Sequence, residues 1–149
     1  MYPFLLFLHN ILRWVVVILG IVVVALSIYG WISKREYSDL NQKLGTYFPI
    51  SLDLQLIVGF LLYFVFSPIT TTALKNFGDV MGNSDLRFFT IEHLLLMVIA
   101  IILAHVGSAR VKKADTSNKK FKNAAIFFSL AFLLILAGIP WDRPLFRGF

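Results

Sequence analysis

Four long apolar runs constrain this chain more than any other feature. Trp14 to Ile32 carries no charge. Ile50 to Phe66 is interrupted by Asp53 and Gln55. Phe88 to Val106 contains Glu92, His93 and His105. Ala124 to Ile139 is the shortest and is extended by Trp141. A membrane span takes about 20 residues, and every run comes close to that length. Hydrocarbon offers no partner for a bare N–H or C=O, so each run is expected as a helix. The runs are too long and uniform for barrel strands, which alternate over about ten residues. The expected fold is all-α, an integral membrane four-helix up-down bundle forming one domain over 1–149. Its helices are placed at about 10–33, 49–66, 88–107 and 123–139, with an outer loop at 67–87 and inner loops at 34–48 and 108–122.

Composition agrees. The chain is 58% hydrophobic and 15% charged, with a mean hydropathy of +0.80. Those values exclude an ordinary water-soluble domain and exclude disorder. Without cysteine there is no disulfide, thiolate metal site or cysteine-held iron–sulfur cluster. The first run exceeds a signal peptide's apolar stretch, lacks an A-x-A site and is followed by Lys34 and Arg35. It is expected as a retained helix.

Basic residues set the expected orientation. Lys34, Arg35 and Lys43 lie in one inner loop, and Arg110, Lys112, Lys113, Lys119, Lys120 and Lys122 in the other. Arg13, Lys75, Arg87, Arg143 and Arg147 lie on the opposite side. The positive-inside rule therefore puts both termini outside, in a multi-pass protein of the cell's inner (cytoplasmic) membrane. The net charge of +6 reads as topology, with anionic-lipid contact secondary. The split cations carry no aromatic-basic motif, so no nucleic acid partner is expected. In the outer loop, Thr72, Ala73, Leu74, Phe77, Val80 and Met81 suit either a surface helix or an anchored loop. The tail from Ile139 stops the last helix at Pro140, and its Trp141, Phe146 and Phe149 suit an interfacial anchor or a docking strip.

Charged and polar groups inside spans are costly and need a reason. They are His9, Arg13, Asp53, Gln55, Glu92, His93 and His105. Helix direction sorts them into two clusters. His9, Arg13, Glu92 and His93 fall near the outer face, where the two histidines can approach across the bundle. Asp53, Gln55 and His105 form an inner cluster of unassigned role. The outer cluster suits a b-type haem, with two imidazoles as axial ligands and an apolar slot for the macrocycle. Arg13 and Arg87, with Arg143 and Arg147, are the cations on the propionate side. Gly20 and Gly59 would allow a flat ring to approach. Glu92 would orient a ligand imidazole or neutralise Arg13. From His93 to His105 the helix turns by roughly 120°, so one haem is expected and not two. Each residue also has a structural reading. His9 suits an interface, His93 a partner for arginine, His105 a bond to Asp53 or a carbonyl, and Met97 simple packing. Asp53 and Gln55 suit a polar cap, and Trp14, Trp31 and Trp141 an aromatic belt.

With those residues placed, the chain resembles small four-helix bacterial membrane proteins described as cytochrome b-like. The resemblance rests on LHNILRW (Leu8–Trp14), DLQLIVGFLLYF (Asp53–Phe64), RFFTIEHLLLM (Arg87–Met97), HVG (His105–Gly107) and IPW (Ile139–Trp141). It implies a four-helix membrane fold and electron transfer through haem b, ligated at His9 and His93. Three histidines instead of four depart from the two-haem cytochromes b and speak against an electron wire across the membrane. Three functions stay open. The first is an electron carrier in or beside a respiratory or redox complex, meeting a quinone or partner subunits. The second is a cofactor-free accessory subunit of a larger membrane complex. The third is a copper-handling protein using His9, His93 and Met97. No nucleophile–base triad or phosphate-binding loop suggests a stand-alone enzyme.

Overall fold

A computed structural model describes residues 1–141, and all its regular structure is helical. Helix α1 spans Tyr2–Ile32 and α2 spans Asp39–Leu61, prolonged by a wide turn at Leu62–Phe66. Three short helices follow: α3 (Pro68–Lys75), α4 (Phe77–Val80) and α5 (Ser84–Arg87). A second wide turn, Phe88–Glu92, leads into α6 (His93–Lys113), and α7 (Ser117–Gly138) completes the bundle. The four long helical segments are 31, 28, 30 and 22 residues, the second counting its wide turn and the third counting both its wide turn and α5, and each is long and apolar enough to cross a membrane.

These helices outrun the apolar runs that predict them. The α1 helix begins at Tyr2 and not near residue 10, because His9, Asn10 and Arg13 interrupt the hydropathy but not the backbone, and Pro3 sits in the tolerant first turn. The α2 helix begins at Asp39 and not at 49. Its first turn is capped by Ser38, whose Oγ accepts from the Asn41 amide, and it continues through Pro49. The connections at the basic end therefore shrink to 33–38 and 114–116 instead of 34–48 and 108–122. The segment 67–87 is largely helical. The last helix does stop before Pro140, and Trp141 Nε1 donates to the Leu136 carbonyl, 2.9 Å away. Arg143, Arg147, Phe146 and Phe149 lie outside the described residues.

Around the bundle, α1 packs on α2 and α7, and α6 packs on α7 and α2. That leaves α1 facing α6, and α2 facing α7, across the two diagonals. Phe48 and Phe128, both fully buried, fill one diagonal with rings 5.7 Å apart and nearly perpendicular. Small residues line the contacts: Ala100, Ala104, Gly107, Ala124 and Ala131 are buried. Close approach over small side chains is how helices associate where lipid removes the hydrophobic drive. The reverse holds outside, where Ile18, Ile57 and Leu133 are each about 60% exposed. An apolar exterior of that kind fits contact with acyl chains.

At the basic end, Tyr37 ties the α1–α2 connection to α7. Its amide donates to Ser117 Oγ at 3.0 Å and its hydroxyl to the Asn41 carbonyl at 3.2 Å. Its ring meets Phe121 edge-on, with centroids 4.8 Å apart. Burial pushes the phenol up to about 12 from an ordinary value near 10. The unfolded chain ionises first, so stability is flat below about pH 10 and falls as pH rises towards 12. Alkaline unfolding of Tyr37→Phe in detergent is expected to lack that extra loss.

Gly107 gives a second test. A Cβ there would overlap Phe127 Cβ, an atom fixed to the backbone of α7, so α6 and α7 would have to part. Gly107→Ala is expected to cost about 1–3 kcal/mol, the usual penalty for overpacking. A Cβ on Gly78 would meet nothing within 4 Å among the described residues, and Gly78→Ala is expected to leave the thermal midpoint unchanged or slightly raised.

Candidate cofactor cleft between two histidines

The end of the bundle where α1 begins and α7 stops is built differently from the basic end. Both wide turns lie there. In such a turn the amide bonds a carbonyl five residues back: Ser67 to Leu62 at 2.8 Å, and His93 to Phe88. Carbonyls that lose their ordinary partner must be satisfied by side chains. Thr70 Oγ1 donates to the Tyr63 carbonyl at 2.7 Å, and the Tyr63 hydroxyl donates to the Thr90 carbonyl at 2.8 Å. Tyr63 thus joins the two wide turns, and α3 is held beneath them. Residues five apart also come onto one face in a wide turn. This pairs Arg87 Nε with Glu92 Oε1 at 2.7 Å, with both side chains over 40% exposed.

Immediately after the second wide turn stands His93. Its Nδ1 lies 2.7 Å from the Gly138 carbonyl. That carbonyl is available because α7 ends there, and the carbonyls of a last turn have no amide of the helix to meet. A carbonyl only accepts, so Nδ1 carries the proton and Nε2 is the basic nitrogen left to the cleft. Met97 packs against the same glycine, where a Cβ would overlap Met97 Cε.

Across the diagonal, His9 projects from α1 over Gly59 of α2, where a Cβ would come within 3.4 Å of its ring. The two imidazole centroids are 6.3 Å apart, with planes at 63°. The Gln55 amide donates to the His9 carbonyl at 2.9 Å. His9 Nδ1 and Gln55 Oε1 are buried and have no hydrogen-bond partner among the described residues. Around them opens a mostly apolar cleft of about 190 Å³, lined by Leu6, Arg13, Gly59, Phe89, Met97 and Ile135 among others. Arg13 also lies over the Trp14 ring at 5.7 Å.

The cleft therefore unites His9, His93, Arg13 and Gln55. Gln55 does not belong with Asp53 as expected. Residues two apart on a helix point roughly 200° apart, so Gln55 faces the cleft and Asp53 faces out. Asp53 Oδ1 instead meets His105 Nε2 at 2.8 Å on the bundle exterior, joining α2 to α6 with both side chains more than 40% exposed. Arg87 is not on the cleft wall, being turned to Glu92. Glu92 bonds Arg87 and is not placed as an orienting partner of His93, whose Nδ1 is taken by Gly138. Gly20 gives no room for a flat ligand either. It is buried under Phe132, whose ring a Cβ would overlap. Tyr63, Thr70 and Gly138 escape sequence reading, although the break at Ile139–Pro140 marks where free carbonyls would lie. Among the described residues no three His, Asp or Glu side chains cluster tightly enough to hold a metal ion by themselves.

Comparison with protein-family models, curated proteins and solved structures finds no match, so function is argued from this chain's own geometry. The Tyr63 link is directly testable. Tyr63→Phe removes one interhelical hydrogen bond and is expected to lower stability in detergent by about 0.6 kcal/mol and by no more than about 1.7 kcal/mol, the average and the maximum for such bonds in a membrane bundle.

Proposed function

We propose that the cleft holds one b-type haem between His9 and His93, and that the chain is a membrane-embedded electron carrier. The observation that carries this is the spacing of the two rings. Imidazoles sharing one metal through collinear bonds of about 2.0–2.1 Å have ring centres roughly 6 Å apart. Here the separation is 6.3 Å. The anchoring of His93 Nδ1 to a backbone carbonyl supports the same reading, since metal-bound histidines usually donate their second nitrogen in this way. The enclosed volume is below the roughly 300–1,000 Å³ of ordinary ligand pockets. The cleft is not closed on all sides, however, and a flat ligand need not lie wholly within it.

Haem would supply one-electron exchange at iron. The chain's own residues do the rest. His9 and His93 would hold the haem, while Gly138 fixes the His93 ring and Gln55 fixes the α1 backbone at His9. Arg13, on the wall, would be the cation for a carboxylate of the group. The apolar lining keeps water from the site. We place the cleft on the extracytoplasmic side of the cytoplasmic membrane, from the excess of cations at the opposite end. A quinone or a subunit of a redox complex would be its partner. The copper reading keeps His9, His93 and Met97 on one wall system, but Met97 is committed to packing on Gly138. The cofactor-free reading takes support from the same bonds: Gln55 to His9 and His93 to Gly138 lock helices whatever the cleft contains.

Absorption of the purified protein separates these. A Soret band with a sharp reduced alpha band is expected, lost in both His9→Ala and His93→Ala and kept in His105→Ala. A folded protein that stays colourless after haem is supplied, or a spectrum lost only with His105, overturns the reading.

A further inference from the structure

At the opposite end, a shallow basin of about 730 Å³ opens around the turn between α6 and α7. Arg110 and Lys113 border it from α6, and Lys119 and Lys122 from α7. One carboxylate faces these four cations. Asp115, held below its ordinary value by the Lys119 ammonium, pairs with that lysine at 2.9 Å. Among the described residues no carboxylate lies within ion-pair range of Arg110, Lys113 or Lys122. The basin therefore holds a surplus of three positive charges, four cations less one carboxylate. Its α7 side runs against helix electrostatics. The first turn of α7 has no acidic residue and carries lysine where the helix dipole favours an anion. Arg110 is held in place, its guanidinium over the Phe127 ring at 5.4 Å and its carbonyl accepting from Asn123 Nδ2 at 3.4 Å.

Below the cations the same helix faces turn apolar. On α7, Lys122 is followed at four-residue spacing by Ile126 and Leu130, and then by Leu133. These three are 39%, 48% and 62% exposed. On α6, Val106 and Ile102 descend in the same way from Arg110, also exposed. Residues four apart share a helix face. A cationic basin continuous with two apolar stripes along neighbouring helices matches the two ends of one molecule.

We propose that the α6–α7 turn is a binding site for a single anionic phospholipid. Its phosphate lies among Arg110, Lys113 and Lys122, and its acyl chains follow Ile126, Leu130 and Val106. Basic pockets between spanning helices bind anionic head groups in this way. The site is distinct from the general excess of cations at this end, because Lys34, Arg35 and Lys43 share the charge but not the basin.

The full-length protein in neutral detergent, studied by native mass spectrometry, tests this. Short-chain phosphatidylglycerol is expected to be retained as one adduct and phosphatidylcholine is not, while inorganic phosphate does not displace the bound lipid. The triple variant Arg110→Gln, Lys113→Gln, Lys122→Gln is expected to weaken phosphatidylglycerol binding at least about tenfold. The control Lys34→Gln, Arg35→Gln, Lys43→Gln removes equal charge and is expected to change it less than about twofold. Lys122→Gln alone, at an exposed position, is expected to weaken it measurably without threatening the fold. Equal losses in both triple variants, equal retention of phosphatidylcholine, or displacement by phosphate would overturn the proposal.

Discussion

No water reaches the middle of a bilayer, so a polar group carried there must find its partner within the chain or in something the chain binds. The architecture at the end where α1 begins and α7 stops follows from that demand. The two wide turns free carbonyls, and Thr70 and Tyr63 supply the hydroxyls that answer them. The end of α7 frees another, and His93 answers it. One consequence is orientation: His93 can present only one nitrogen to the cleft. Another is imbalance, since His9 Nδ1 and Gln55 Oε1 stay buried and unanswered among the described residues. Thr90 Oγ1 and Ser129 Oγ also lack a partner among the described residues, but only His9 and Gln55 border the apolar cleft, and that supports the proposal of a ligand there.

The two diagonals state the same contrast. One is filled by Phe48 and Phe128, fully buried rings that require nothing further. The other brings together His9 and His93, held by Gly59 behind one ring and Gly138 beside the other. Packing alone would be served as well by a second aromatic pair. Imidazoles add cost in an apolar setting, which a metal-bearing cofactor would offset by using their lone pairs.

Much of this was legible before the structure, for physical reasons. Hydropathy reports which segments lipid can hold, so the four spans are readable. Depth within a span follows from counting along helices of known direction, which is how His9 meets His93 and Asp53 meets His105. Azimuth proved harder. Asp53 and Gln55 face opposite ways, and because α2 begins at Asp39 they lie mid-helix and not at its inner end, so the inner grouping misplaces Gln55, which reaches His9. Helix ends were also hidden, because Ser38 caps a polar first turn that hydropathy assigns to a loop. The wide turns leave no local signature at all. They exist because distant hydroxyls satisfy them, and they alone explain why Arg87 reaches Glu92 five residues on and is drawn away from the cleft.

Electron paramagnetic resonance of the oxidised, purified protein bears most directly on the central claim that two imidazoles share one iron. A low-spin ferric signal typical of two axial imidazoles is expected, changing to high-spin when either His9 or His93 is replaced by a residue that cannot ligate. A high-spin signal in the unaltered protein, or a low-spin signal indifferent to both replacements, would contradict the account.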